Sequence, residues 1–281
     1  MKYKKPLGAT ILSLLTCLAL TLGAAASEWE EVTLRAPSQS ALPAARLIEG
    51  TTYVPFRAFC DAWGADGQIE WEGDSRTARY RGTGLEISAA IGQRYLLANG
   101  RVLCRGKENL LLDDRTYVPI RALADAFTLQ VEWQDGGIGS RSVTLTGSPR
   151  AIENAETAYD GEDLLWLSRV ISAEAEGESF EGKLAVGSVV MNRVRSEQFP
   201  DSVHDVIFDM RYGVPQFYRP GDPRILITPS EQSILAAKAC LDGYLLDENV
   251  LFYLNPRIAT SFWIVQNRPF LFSLGLHDFY A

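Results

Sequence analysis

One stretch of this chain is written twice. Thr52-Tyr53-Val54-Pro55-Phe56-Arg57-Ala58-Phe59-Cys60-Asp61-Ala62-Trp63 returns as Thr116-Tyr117-Val118-Pro119-Ile120-Arg121-Ala122-Leu123-Ala124-Asp125-Ala126-Phe127, and each copy is followed by a Glu-Trp pair, Glu70-Trp71 and Glu132-Trp133. A β-branched and aromatic run that meets a proline and then takes helical spacing predicts, in each unit, a short strand, a helix opened by proline, and further strands at 77–80 and 142–145. The front half is therefore expected to be a β-rich repeat of ββα type over residues 27–147. Arg57 and Arg121 hold matching positions, where each would pair with a local carboxylate or carbonyl and fix its unit. Cys60 and Cys104 also lie here. A disulfide between them needs an oxidising compartment and Cα atoms within bonding range, and spacing leaves it open.

The back half follows a different period. Leu164, Leu167 and Ile171 fall on one helical stripe, and Glu174 is its next member. Glu174 belongs to Ser172-Ala173-Glu174-Ala175-Glu176-Gly177-Glu178, three carboxylates where the helix should end. Two readings stand: a solvated acidic helix end, or a carboxyl closing a buried face, where burial disfavours the charged form and suits general-acid work. The first is at odds with the macrodipole, which favours cations at a helix C-terminus. Gly177 is a candidate for the left-handed residue that stops the helix. Phe180, Leu184, Gly187, Met191 and Val194 mark one face of a second helix. Gly187 and Ser188 at its middle cost helix propensity, which makes sense if another backbone approaches closely. Thr228-Pro229-Ser230-Glu231 reads as a capping box with proline in the first turn of a third helix, which Gly243 follows.

Several separated blocks then agree: 171–178, 181–194, Pro215-Gln216-Phe217, Leu251-Phe252-Tyr253-Leu254-Asn255-Pro256, Ala259-Thr260-Ser261 and Gly275-Leu276-His277-Asp278-Phe279-Tyr280. Together they resemble, over residues 162–281, the spore cortex-lytic enzyme family of cell wall hydrolases, the SleB-like group. That resemblance implies a compact, mainly helical domain related to lytic transglycosylases and goose-type lysozymes. It implies cleavage of peptidoglycan glycan strands between N-acetylmuramic acid and N-acetylglucosamine, with Glu174 as the catalytic carboxylate. It also places Gln216, Phe217, Tyr253 and Asn255 against substrate, although composition alone would make Phe252 and Tyr253 core residues.

Most glycosidases use two carboxylates. The resemblance implies instead a single glutamate that acts as acid and then base while a sugar hydroxyl attacks. Glu178 is the secondary candidate, one turn further on if the helix continues, and its expected role is structural. One departure stands out: the family usually carries Ala-Arg-Gly-Glu where this chain has Ala175-Glu176-Gly177-Glu178. If Glu176 faced Glu174, like charge would favour the protonated form of Glu174; facing solvent, it would change nothing. The alternatives are a non-catalytic cell-wall-binding protein whose site Glu176 has spoiled, and a simple muramidase-type hydrolase. The repeat resembles the copper amine oxidase N-terminal-like domain, a stalk domain whose role would be a spacer or a wall or protein contact.

Composition removes other chemistries. The chain has only two histidines, His204 and His277, and the stalk region has none. A zinc amidase needs more ligands than that, so no metal and no cofactor are expected. Cys240 lies in an apolar helical run, unlike a peptidase thiol. His277, among aromatics, reads as a structural hydrogen-bonding residue, and Trp263 and Tyr280 fit either core or cleft. Residues 1–26 read as a secretory signal, with Lys2, Lys4 and Lys5 before an apolar run and Ala24-Ala25-Ala26 at its end; Cys17 sits in a poor lipoprotein box. The chain is expected at the cell wall or spore envelope, with no membrane contact beyond that segment. The net charge is −8, and most of it comes from residue 151 onward, so attraction to nucleic acid or anionic wall polymers is not expected to drive binding. The expected partners are peptidoglycan glycan strands, of spore cortex or vegetative wall. The expected fold class is multidomain α+β: a β-rich repeat stalk at 27–147, a linker at 148–161, and a mainly helical lysozyme- or lytic-transglycosylase-like domain at 162–281.

Overall fold

In the computed structural model, the residues described are 29–36, 43–64 and 66–281; the signal expected at 1–26 lies outside them. The stalk runs β1 (Glu30–Arg35), β2 (Ala45–Ile48), β3 (Thr51–Pro55), α1 (Phe56–Trp63), β4 (Gln68–Glu72), β5 (Thr77–Gly82), β6 (Leu85–Ala90), β7 (Tyr95–Ala98), β8 (Arg101–Cys104), β9 (Leu110–Leu112), β10 (Arg115–Pro119), α2 (Ile120–Ala126), β11 (Gln130–Gln134) and β12 (Ser142–Thr146). One sheet has the order β11-β12-β1-β2-β3-β10-β9 and the other is the meander β4 to β8.

Each repeat is the expected strand, helix and strand pair, with one adjustment. Pro55 and Pro119 close their strands and cap the helices instead of occupying the first helical turn. Their fixed φ suits that junction. The two repeats meet at β3 and β10, which pair antiparallel with Val54 opposite Val118, Tyr53 opposite Pro119 and Pro55 opposite Tyr117. Equivalent residues therefore face each other, and an approximate two-fold axis through Val54 and Val118 relates the units.

The C-terminal domain comprises α3 (Ala155–Ala158), α4 (Gly161–Ala175), α5 (Phe180–Arg195), α6 (Val203–Ile207), α7 (Glu231–Leu241), β13 (Phe252–Leu254), α8 (Trp263–Asn267), β14 (Phe270–Leu274) and β15 (His277–Tyr280), with a small sheet in the order β13-β15-β14. The spacing of α5 predicts one buried face. The helix is instead buried continuously from Gly182 to Val190, because Leu184, Val186 and Val190 pack toward α4 and α7 while Ala185 and Val189 pack on Val250 and Phe279. Gly187 does mark a close approach, but side chains make it: an added Cβ would meet Cys240 Sγ at 2.7 Å and Ile171 Cδ1 at 2.9 Å. α7 begins two residues later than the Thr228 capping box predicts; Ser230 is its cap and accepts from the Ser233 N–H at 3.2 Å.

Two further expectations change. Cys60 and Cys104 are free, buried thiols. They cannot pair because Cys60 belongs to the stalk core and Cys104 to the helical core. The 148–161 segment is more than a polar tether: Ile152 is buried, the Arg150 and Ile152 amides donate to the carbonyls of Phe127 and Ala126, and Ala155 N–H donates to Asn99 O. The stalk is docked to its neighbour. Val102 and Cys104 of β8 complete the helical core, and Asp242 at the end of α7 receives Arg101, the Tyr159 hydroxyl and the Val102 N–H.

Candidate active site

Glu174 lies in the last turn of α4, and what ends that helix decides where its side chain goes. Gly177 does not take a left-handed φ. The stop is made by Lys183, nearly buried at 4% exposure, whose ammonium donates to the carbonyls of Ala175 at 2.7 Å, Glu176 at 2.9 Å and Glu178 at 2.8 Å. Three donors meet three acceptors, and a cation sits where the macrodipole wants one. The acidic helix end is thereby explained. Burial lowers the Lys183 pKa, opposed by the charges of Glu178 and Glu176.

The three carboxylates then diverge. Glu176 is exposed. Glu178 points to the other side of the turn, with its side chain only 9% exposed beside His277 at 3.4 Å, and accepts the Leu276 N–H at 3.1 Å. It clamps the turn between β14 and β15. Glu174 faces a cleft of about 1050 Å³ whose walls include Gln216, Phe217, Tyr253 and Asn255. All five candidate residues thus meet in one place, and Glu178 is not among its lining residues.

α5 builds the opposite wall. Asn192 Nδ2 donates to the carbonyls of Asp247 and Val250 at 2.9 and 2.8 Å, and Arg193 Nε donates to Leu251 O at 2.8 Å. These bonds fix the chain entering β13 and hence Tyr253. The Tyr253 ring stacks on Phe279 and meets His277 edge-on, and its hydroxyl donates to Glu174 Oε2 at 2.8 Å. Burial and then the Glu174 charge push the Tyr253 phenol well above its ordinary pKa; the same two causes raise Tyr218. Both phenols therefore remain protonated donors around the glutamate.

The other substrate candidates differ in freedom. The Gln216 backbone N–H is held by Asp209 O, leaving its side-chain amide without a hydrogen bond among the described residues. Asn255 spends its Oδ1 on the Arg257 N–H at 3.0 Å, which leaves its NH₂ for a ligand. Trp263 joins the cleft wall, half exposed, whereas Tyr280 is core.

Sequence reasoning missed the cleft's cationic floor. Arg193 is 5% exposed and lies 4.9, 5.0 and 5.3 Å from the ring centroids of Phe199, Phe217 and Phe252; burial lowers its pKa to about 10. Arg268 covers Phe252 and Trp263. No local signal marks Arg193, because it lies in the last turn of α5, where a basic residue is ordinary.

Two families of known proteins are similar to parts of this chain. Residues 177–280 match the cell wall hydrolase family, and residues 38–153 match the copper amine oxidase N-terminal domain. The C-terminal domain is thus similar to the cell wall hydrolase family. Among similar proteins are spore cortex-lytic enzymes of Oceanobacillus iheyensis, 34% identical over 144 residues, Bacillus cereus, 35% over 126 residues, and Bacillus subtilis, 34% over 126 residues. These alignments cover 51%, 45% and 45% of this chain and 50%, 47% and 40% of those proteins, so the chain spans about half the length of the curated relatives it matches, or less. Two solved structures are also similar. The catalytic domain of the germination-specific lytic transglycosylase SleB from Bacillus anthracis is 32% identical with a TM-score of 0.40, covering 46% of this chain and all of that one. The catalytic domain of Bacillus cereus SleB is 33% identical with a TM-score of 0.39, covering 48% of this chain and all of that one. The family match begins at residue 177, three positions after Glu174, so the case for Glu174 rests on the cleft. Among the described residues, no cluster of histidine, cysteine, aspartate and glutamate could hold a metal ion, and no helix is long and apolar enough to cross a membrane.

Proposed function

We propose that this chain is an extracytoplasmic peptidoglycan-cleaving enzyme that cuts the glycan bond after N-acetylmuramic acid, with Glu174 as its single acid and base. The helical domain would then act as a lytic transglycosylase, in spore cortex lysis or wall remodelling. Protonated Glu174 gives its proton to the glycosidic oxygen as the bond from the muramyl C1 to that oxygen breaks. The muramyl 6-hydroxyl forms the new bond to C1 and returns its proton to the Glu174 carboxylate. The products are a 1,6-anhydromuramyl end and a free 4-hydroxyl, with no water consumed. Gln216 and Asn255 offer amides to acetamido and hydroxyl groups, and Phe217 and Trp263 offer ring faces.

The observation that carries this reading is the Tyr253 bond to Glu174. A hydroxyl donor on the carboxylate holds its orientation and helps it carry charge after the proton has left. The engagement of Glu178 with Leu276 and His277 favours this route over hydrolysis, which would need a second carboxylate near the bond. The exposure of Glu176 speaks against a spoiled site and thus against the purely wall-binding alternative. Mass analysis of fragments released from purified peptidoglycan and spore cortex tests it. Anhydro-muropeptides from the wild type and none from Glu174→Gln are expected. Reducing-end fragments would replace transglycosylation by hydrolysis, and no release from either substrate would sink the enzymatic reading.

A further inference from the structure

The two-fold repeat of the stalk duplicates a groove. One groove, of about 630 Å³, lies among Pro55, Arg57, Ile69 and Trp71 and is closed by Thr116 of the other repeat. The second, of about 270 Å³, lies among Pro119, Arg121, Val131 and Trp133 and is closed by Thr52. Every residue named in one has its counterpart in the other, including the threonine contributed across the axis.

What the repeats keep is informative. Several buried positions have diverged in ways packing tolerates, Phe56 to Ile120, Phe59 to Leu123, Cys60 to Ala124 and Trp63 to Phe127, while Tyr53/Tyr117 and Val54/Val118 at the two-fold are kept. Two exposed pairs at the grooves, where substitution costs little stability, have not. Arg57 and Arg121 are both exposed, and Trp71 and Trp133 are 48% and 38% exposed. The arginines do little for their own units: Arg121 reaches Val131 O at 3.4 Å, and Arg57 has no hydrogen bond or ion pair among the described residues. An exposed indole and a nearly idle guanidinium, kept twice, are better explained by a ligand than by folding.

We infer that the stalk binds peptidoglycan glycan strands in these two grooves, Trp71 and Trp133 stacking on pyranose faces while Arg57 and Arg121 donate to hydroxyl, acetamido or carboxylate oxygens. The choice of a wall glycan rests on the function proposed above. It fits the charge distribution, because the stalk is close to charge-balanced while the helical half carries most of the negative charge. A glycan strand has a direction, and two-fold-related grooves present opposite directions. The grooves therefore hold two separate strands, and the stalk bridges neighbouring strands of the wall. The larger groove, which lies within the usual range for ligand pockets, makes the greater contribution.

The test uses the full chain carrying Glu174→Gln, so that strands stay intact, sedimented with purified sacculi and titrated with soluble glycan oligomers. Trp71→Ala, Trp133→Ala and the double variant are compared, with melting curves confirming that each folds. The double variant should lose about tenfold or more in affinity for sacculi, with Trp71→Ala the more damaging single change. Each single change should weaken binding to sacculi more than to soluble oligomers, since it removes a second attachment point. A folded double variant that binds sacculi like its parent overturns the inference, and an effect confined to one tryptophan overturns the bridging. Cleavage plays no part in the readout: a protein that binds through the tryptophans yet never cuts would fail the proposed function alone.

Discussion

Glu174 and Glu178 stand four residues apart on one turn, and they meet opposite fates. Glu174 opens onto a large cleft and touches a tyrosine hydroxyl; Glu178 is folded under the turn between β14 and β15, held by the Leu276 amide and close to His277. Lys183 separates them by ending α4 between the two. A carboxylate becomes chemically available when its neighbours leave it oriented phenol donors and an open side, and becomes a fastener when it is used to close a loop.

The sharpest way to break this contrast is at Glu174 itself. Glu174→Gln should lower cleavage by about 10²–10⁴-fold, the usual worth of a positioned general acid and base, with an unchanged melting temperature; a near-normal rate would remove it from the chemistry. Lys183→Met should destabilise the domain by about 3 kcal/mol or more, because it strands three carbonyls that the ammonium satisfied, and urea unfolding measures it. Glu178→Ala should cost about 1–3 kcal/mol by the same method, from the lost bond to Leu276 and a less constrained His277. Its released fragments should keep the wild-type masses. A Glu178 variant that melts normally but loses activity as deeply as Glu174→Gln would erase the distinction.

Two smaller effects sharpen it. The Tyr253 phenol is raised above its ordinary value near 10, so the folded protein holds a proton that the unfolded chain releases. Stability from this source is intact below about pH 10 and falls as pH rises beyond it. Thermal melts should show that alkaline decline, and Tyr253→Phe should flatten it; a steeper decline in the variant would reverse the assigned sign. Glu176→Arg, which restores the residue usual in the family, should change stability by no more than about 0.5 kcal/mol because the site is exposed. A large gain in cleavage would show that Glu176 acts on the cleft.

Much of the site is legible in the order of residues along the chain. The place of Glu174 at the end of α4 follows from a helical stripe, while its proposed role and the choice of Gln216, Phe217, Tyr253 and Asn255 come from blocks that resemble the family. Arg193 and Arg268 are not legible there: their places in the cleft depend on rings such as Phe217 and Phe252 that distant segments contribute, and no local period records such a contact. Nor is the end of α4. A glycine after a helix is a local signal that points to Gly177, whereas the actual stop is a lysine reaching back from α5.

By itself, the sequence determined the division into a repeated β-rich half and a helical half, and the place of Glu174 at the end of an apolar helical stripe. Each is carried by residues within a turn or a repeat of one another, where backbone geometry links spacing to position. Only the tertiary structure decided that Cys60 and Cys104 lie in different cores, that the 148–161 segment is docked, that the stalk's β8 completes the helical core, and that two copies of one motif face each other across Val54 and Val118. Those outcomes depend on which apolar surfaces bury one another, a choice made by area and shape between segments far apart in the chain.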